Sequence, residues 1–250
     1  MKKNSQKKVQ LKYTDLVYGA HACLEMLLAK RRKISTVYTT KHEIKSWAKI
    51  KNLLPAHIPI QFVSREALDN MTDGAQHQGI VIFVSPFPYE KNIFDPKTNS
   101  FVVVLDGIQD IGNLGAIIRS AYCAGVDGIV LCGKNSASLT PAAIKASAGL
   151  AEHTKIFIAP SINFALQELK NKGYNLYIAT LEQGQNAARI EFNKPAALII
   201  GNEESGVSKD TLKAGVRVLL PQRRADISYN ASVAAGILMF LMGVQFQKIS

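Results

Sequence analysis

Residues 101–132 read FVVVLDGIQDIGNLGAIIRSAYCAGVDGIVLC, and this stretch decides the fold. Phe101–Leu105 is an apolar run short enough to be a buried strand. A helix is predicted over 113–124, because Leu114, Ile117, Ile118, Ala121 and Tyr122 recur at the spacing of one helical face. Residues 128–132 form a second apolar run. Strand, helix and strand in direct succession make a parallel crossover unit.

The alternation continues downstream. Strands are predicted at 155–159, 175–179, 196–200 and 216–220. Helices are predicted near 140–149, with Pro141 in the first turn, at 162–171, and from about 230 onward. Continuous apolar strands separated by helices imply a parallel sheet covered on both faces. Upstream, residues 13–85 read as a smaller α/β unit, with helices at 18–29, 43–53 and 65–70 and strands at 36–40, 60–63 and 79–85. Residues 86–99 are rich in proline and turn formers and read as a linker, leaving 100–250 as the second domain.

Composition narrows the partner more than the fold. The chain of 250 residues is 47% hydrophobic and 20% charged, an ordinary globular balance with apolar surface for a real core. Its net charge is +11, which points to a polyanion, nucleic acid before an acidic membrane surface. Residues 1–100 hold 16 basic and 8 acidic side chains. The run Lys30, Arg31, Arg32, Lys33 lies between structured stretches and is the candidate phosphate-contacting, RNA-binding patch. Cys23, Cys123 and Cys132 are too scattered for a disulfide framework, and the histidines share no metal-ligand spacing, so no metal is expected. Few cysteines fit a reducing, cytoplasmic compartment. The basic N-terminus lacks the apolar core of a secretory signal, and Ala231–Val244 is shorter than a bilayer span, so no membrane partner is expected.

Three loops leave predicted strand ends and carry unusual residues: 106–121 (DGIQDIGNLGAIIRSA), 201–208 (GNEESGVS) and 220–236 (LPQRRADISYNASVAAG). In an open parallel sheet, ligands bind outside the carboxyl ends of the strands. Taken singly, each loop reads as turn glycines with helix caps at Asn113 and Asn230. The spacing of Gly107, Gly112 and Gly115 departs from a dinucleotide fingerprint, and no phosphate-loop or nucleophile-elbow motif occurs.

In order, the three loops resemble the three motifs of the SpoU/TrmH family of RNA ribose 2′-O-methyltransferases. The first resembles Asn113–x–Gly115 followed by Arg119, and the second Gly201-Asn202-Glu203 with Gly206. The third resembles Pro221, then Ser228-Tyr229-Asn230 running to Gly236. Tyr18-Gly19-Ala20-His21 and Gly74-Ala75-Gln76-His77-Gln78-Gly79 resemble the substrate-binding module of the longer members. The subgroup most similar methylates a guanosine ribose in large-subunit ribosomal RNA.

The resemblance implies an α/β fold with a knotted, trefoil C-terminal parallel-sheet domain and a smaller N-terminal α/β domain similar to certain RNA-binding ribosomal proteins. It implies a homodimer with active sites at its interface and S-adenosylmethionine as cofactor, contacted by Ile200, Gly201, Asn202, Leu220, Gln222 and Tyr229. It places Arg119 as the essential arginine, with Asn113, Glu203, Ser228 and Asn230 beside it. An arginine stays protonated and is a poor base, so Arg119 is read as gripping phosphate and stabilising a developing alkoxide. Gly115 is read as leaving room for RNA beside it, and Cys123 as packed. Two positions depart from the family pattern: Arg224 stands where glycine is usual, and Tyr229 where leucine is usual. Two alternatives remain on the sequence: a tRNA ribose methyltransferase, and a non-catalytic RNA-binding ribosome-assembly factor on the same fold.

Overall fold

The second-unit strand read at 101–105 spans Phe101–Leu105 in the computed structural model, which describes residues 15–40, 44, 46–132, 136–202, 206–224 and 227–250. Two units divide the chain, Met1–Pro88 and Tyr89–Ser250.

The first unit runs β1 (Asp15–Tyr18), α1 (Ala20–Ala29), β2 (Ile34–Thr39), α2 (Trp47–Leu53), β3 (Ile60–Phe62), α3 (Arg65–Met71) and β4 (Ile80–Val84). Its sheet order is β1-β4-β2-β3, with β4 antiparallel to both neighbours and β3 parallel to β2. The unbroken apolar run of β4 suits this central place, and all five of its residues are buried. One face packs Tyr18, Tyr38, Leu68, Val81 and Phe83, with Tyr38 and Phe83 edge to face at 5.6 Å. Tyr18 ends a strand and does not open the helix; Gly19, at φ 91°, makes the turn between them.

The two first-unit motifs meet through hydrogen bonds. The Ala20 N–H donates to Gln78 Oε1 (2.9 Å), covering a helix-start amide that Gly19 has no side chain to cap. His77 is buried. Its Nδ1 accepts from the Gly79 N–H (3.0 Å), which leaves Nε2 to donate to Asp69 Oδ1 at 3.0 Å. His77 is therefore a structural anchor tying the 74–79 turn to α3.

The second unit runs β5 (Phe101–Leu105), α4 (Ile111–Cys123), β6 (Gly128–Cys132), α5 (Pro141–Ala146), a 3₁₀ turn (Leu150–His153), β7 (Ile156–Ala159), α6 (Ile162–Asn171), β8 (Asn175–Ala179), β9 (Gln185–Asn186), β10 (Ala196–Ile200), α7 (Lys209–Leu212), β11 (Val216–Leu219) and α8 (Ala231–Gln245). The sheet order is β7-β6-β5-β10-β8-β11-β9, and every pairing is parallel. The chain moves outward from β5 to β7, then returns to place β10 beside β5. That reversal is the topological switch at which open sheets build ligand sites.

Alternate strand residues face opposite layers. Val102, Val104, Val130, Cys132, Ala197 and Ile199 pack with Leu166 and Leu169 of α6. The other face meets α8, whose closing Phe246 sits edge to face with Phe101 at 5.2 Å. Ile93 and Phe94, within the stretch read as a linker, are buried in the α6-side core, and Glu90 bridges to Phe157. Apolar side chains in a proline-rich stretch have here found a core to enter.

Candidate active site

The edge formed by the carboxyl ends of β5, β10 and β11 carries the three motif loops. The Asp106 N–H donates to the Ile200 carbonyl (2.9 Å), extending the β5–β10 ladder by one step into the loops. Beyond it, the Asn202 side-chain amide donates to the Gly107 carbonyl at 2.7 Å, joining the first loop to the second. Asn202 and Gly206 exchange two backbone hydrogen bonds, at 3.0 and 3.1 Å, and so close a tight turn. A Cβ on Gly201 would lie 2.4 Å from the Gly206 carbonyl carbon, so only glycine fits. Glu203, the candidate carboxylate, lies outside the described residues.

The third loop borders an open, solvent-facing pocket of about 300 Å³ lined by Gln222, Arg223, Arg224, Ile227, Ser228 and Tyr229. The Tyr229 hydroxyl reaches back to the Pro221 carbonyl at 3.5 Å, so the ring spans the loop it closes. Asn230 caps α8: its Oδ1 accepts from the Ser232 and Val233 amides and from the Ser232 hydroxyl, at 2.9, 3.4 and 2.6 Å. Ser228 is exposed beside it, and Leu220 stands half-buried just after β11.

At the first loop the structure corrects three readings. Asp110, not Asn113, caps α4, its Oδ1 accepting from the Asn113 N–H at 2.6 Å. A cap side chain reaches the amide three residues on, so Asp110 was legible from the Asp–x–x–Asn spacing. Gly115 is buried, and a Cβ there would come within 2.3 Å of Ala146 Cβ and 2.9 Å of the Ser147 amide. Its missing side chain makes room for α5, not for RNA. Cys123 is exposed and not packed.

Helices α4 and α8 approach closely at two points, Gly236 beside Ser120 and Gly243 beside Ala124. This pairing runs the two helices in the same direction and brings their starts, with Asn113 and Asn230, to one end. Arg119 lies six residues past Asn113, about 9 Å further along the axis at the helical rise. Its side chain is exposed and makes no hydrogen bond or ion pair among the described residues. The structure thus joins Ile200, Gly201 and Asn202 to the first loop, and groups Gln222, Ser228 and Tyr229 around the cavity. Arg119 is exposed on α4.

Two titratable groups, the half-buried Asp106 and the buried Cys132, flank the first loop. Burial raises the Asp106 carboxyl above the ordinary carboxylate range. Burial, and then the charge of Asp106, push the Cys132 thiol up to about 12. Among the described residues, no group of three or more His, Cys, Asp or Glu side chains is placed to hold a metal, and no helix is long and apolar enough to cross a membrane.

The candidate RNA patch at 30–33 is divided. Arg32 is 7% exposed: its Nε donates to the Ser85 carbonyl (2.7 Å) and its Nη2 to Asp15 Oδ2 (3.1 Å). Arg31 donates to the Pro88 carbonyl (3.1 Å) and lies over the Phe87 ring at 5.6 Å. Both arginines hold the end of the first unit's chain in place. Lys30 and Lys33 remain exposed.

Known proteins resemble this chain over most of its length. Residues 100–240 match the SpoU rRNA Methylase family, and residues 16–90 match the family described as RNA 2'-O ribose methyltransferase substrate binding. A putative TrmH family tRNA/rRNA methyltransferase of Bacillus subtilis, YacO, is 32% identical over 235 residues, covering 90% of this chain and 94% of that protein. The crystal structure of an RNA 2'-O ribose methyltransferase superposes with a TM-score of 0.80 at 22% identity, covering 93% of this chain and 88% of that one. The S-adenosylmethionine-bound structure of an rRNA methyltransferase from Sinorhizobium meliloti superposes with a TM-score of 0.75 at 24% identity, covering 91% of this chain and 85% of that one. With its three motif loops gathered at one sheet edge, the chain belongs to the SpoU rRNA methylase family.

Proposed function

We propose that this chain transfers the methyl group of S-adenosylmethionine to a ribose 2′-hydroxyl of RNA, with a guanosine of large-subunit ribosomal RNA as the target. The observation that carries the reading is the junction of the first two motif loops, Asn202 to Gly107, on the sheet edge from which the third loop also leaves. The residues present fit this cofactor. Ile227 and the Tyr229 ring give apolar surface beside Gln222 in the third loop. Main-chain groups of Ile200, Gly201, Asn202 and Leu220, at the ends of β10 and β11 on the same sheet edge, are assigned as the other cofactor contacts. When bound, S-adenosylmethionine supplies an electrophilic methyl on a positively charged sulfur.

The chain's own residues have the remaining work. Arg119, exposed and without a partner among the described residues, grips the phosphate beside the target ribose and stabilises charge developing on its 2′-oxygen. Asn113, Ser228 and Asn230 orient the nucleotide from the starts of α4 and α8. Glu203 is assigned as the carboxylate that helps the hydroxyl lose its proton. Asn230 spends its Oδ1 on the cap, so its amide nitrogen is the group turned to substrate.

Residues up to Pro88 hold the RNA, and the second unit carries the reaction. That separate substrate-binding unit, on the side of the chain with the larger basic surplus, is what supports ribosomal RNA over tRNA. The second-unit path is assigned as a trefoil knot and the working form as a homodimer. The dimer is supported by the stripe Val233, Phe240 and Val244 on α8, which is about half exposed at helical spacing.

Mapping ribose methylation in RNA from cells with and without this chain tests the proposal. Loss of one 2′-O-methylguanosine from large-subunit ribosomal RNA is the expected result. Loss confined to tRNA moves the target, and no loss in either RNA overturns the proposal.

A further inference from the structure

The basic surplus of the first unit has to act somewhere other than the two arginines engaged in holding its chain. Outside the motif turns, one corner combines exposed aromatic and basic groups. Phe62, on the edge strand β3, is 56% exposed. The indole of Trp47, at the start of α2, meets its ring edge to face, with centroids 6.5 Å apart and planes at 68°. Lys51 lies four residues after Trp47 on the same helical face, and Lys49 and Arg65 are exposed nearby in sequence on α2 and α3. Over residues 41–65 the sequence places Lys41, Lys45, Lys49, Lys51 and Arg65 against one acid, Glu43.

Burial in the unit's own core does not account for this pair. Phe62 projects from the outermost strand, and a large ring left in water is unfavourable unless something covers it. A cover for two rings with exposed cations on the adjoining helices needs flat apolar faces and negative charge. Single-stranded RNA has both: unpaired bases stack on aromatic rings while the adjoining phosphates meet the cations.

We propose that the Trp47–Phe62 corner is a contact for a single-stranded segment of the RNA substrate, with one base stacked on the ring pair and its flanking phosphates on Lys51 and Arg65. The proposal rests on the RNA-methyltransferase reading and adds to it a second point of grip, away from the reacting ribose. Duplex RNA, whose bases are already stacked, does not fit this corner.

Trp47 is the only tryptophan in the chain, so its emission reports on this corner alone. The full chain is titrated with a single-stranded oligouridylate, following Trp47 fluorescence and, in parallel, the anisotropy of an end-labelled copy. The proposal expects quenching that tracks binding and a roughly tenfold loss of affinity in Phe62→Ala, restored in Phe62→Tyr. It also expects the salt slope to fall by about 0.7 for each phosphate contact removed in Lys51→Gln and Arg65→Gln. Circular dichroism checks that the variants fold. Binding with unchanged Trp47 emission and undiminished affinity in Phe62→Ala overturns the corner while leaving the methyltransferase reading intact. Equal quenching by a duplex of the same length overturns stacking. Failure of the reading itself shows separately, as absence of methyl transfer from the wild-type chain.

Discussion

The side-chain amide of Asn202 donates to the Gly107 carbonyl at 2.7 Å, across 95 residues of sequence. It ties the loop after β10 to the loop after β5, on either side of the point where the strand order reverses. Removing the amide leaves the Gly107 carbonyl without this donor at a half-buried site. Asn202→Ala should lower stability by about 1 kcal/mol, the scale of one such bond. Its larger effect should be on S-adenosylmethionine, with affinity falling roughly tenfold. Thermal unfolding and titration calorimetry measure the two. Full retention of affinity would detach this bond from the site.

Arg119→Lys keeps a positive charge and loses the planar fork of donors. Methyl transfer should fall by roughly 10²–10³, the scale for losing one preorganised donor. Cofactor affinity should stay within a few-fold, because the cavity and the Gly201 turn belong to the other two loops. Single-turnover rates across pH separate the roles. An electrostatic role lowers the whole profile, whereas a base at this position shifts its limb.

Phe240 is 56% exposed on α8, seven residues from Val233 and four from Val244. If a second copy covers this stripe, Phe240→Glu buries a carboxylate at the interface and should convert dimer to monomer. Light scattering after size exclusion gives the mass directly. A dimer that survives the change places the interface elsewhere.

The three cysteines should separate by environment. Cys132, its thiol pushed up to about 12, stays protonated at pH 8, while Cys123 is open to reagent. One thiol per native chain should react rapidly, and all three after unfolding. The alkaline limb has a fixed sign. Between the ordinary thiol value and about 12 the unfolded chain loses this proton and the folded chain keeps it, so stability falls as pH rises through that window. Rapid labelling of Cys132 at pH 8, located by peptide mapping, would contradict the burial.

Legibility in the sequence followed the length and continuity of each apolar run. The central strands β5, β6 and β10 lie where their runs begin and end, because a strand buried on both faces has no polar residue to blur it. Asp15–Tyr18 was too short to stand out, and its glycine turn read as a helix start. Helix α5 stops at Ala146 and not at 149, since Ala148 and Gly149 turn the chain through positive φ into the 3₁₀ turn. The loops of the site were visible as motifs, but their internal bonding was not. Gly115 meets Ala146 and Arg32 meets Asp15 only in three dimensions, so both readings went to a solvent or RNA role that packing had already taken.

Methyl transfer to a ribose hydroxyl should require Arg119. The direct measurement incubates the purified full chain with methyl-labelled S-adenosylmethionine and unmodified large-subunit ribosomal RNA, then digests the RNA to nucleosides. The account predicts label in 2′-O-methylguanosine, and its loss in Arg119→Ala with cofactor binding retained. Label on a base, or undiminished label in Arg119→Ala, would contradict it.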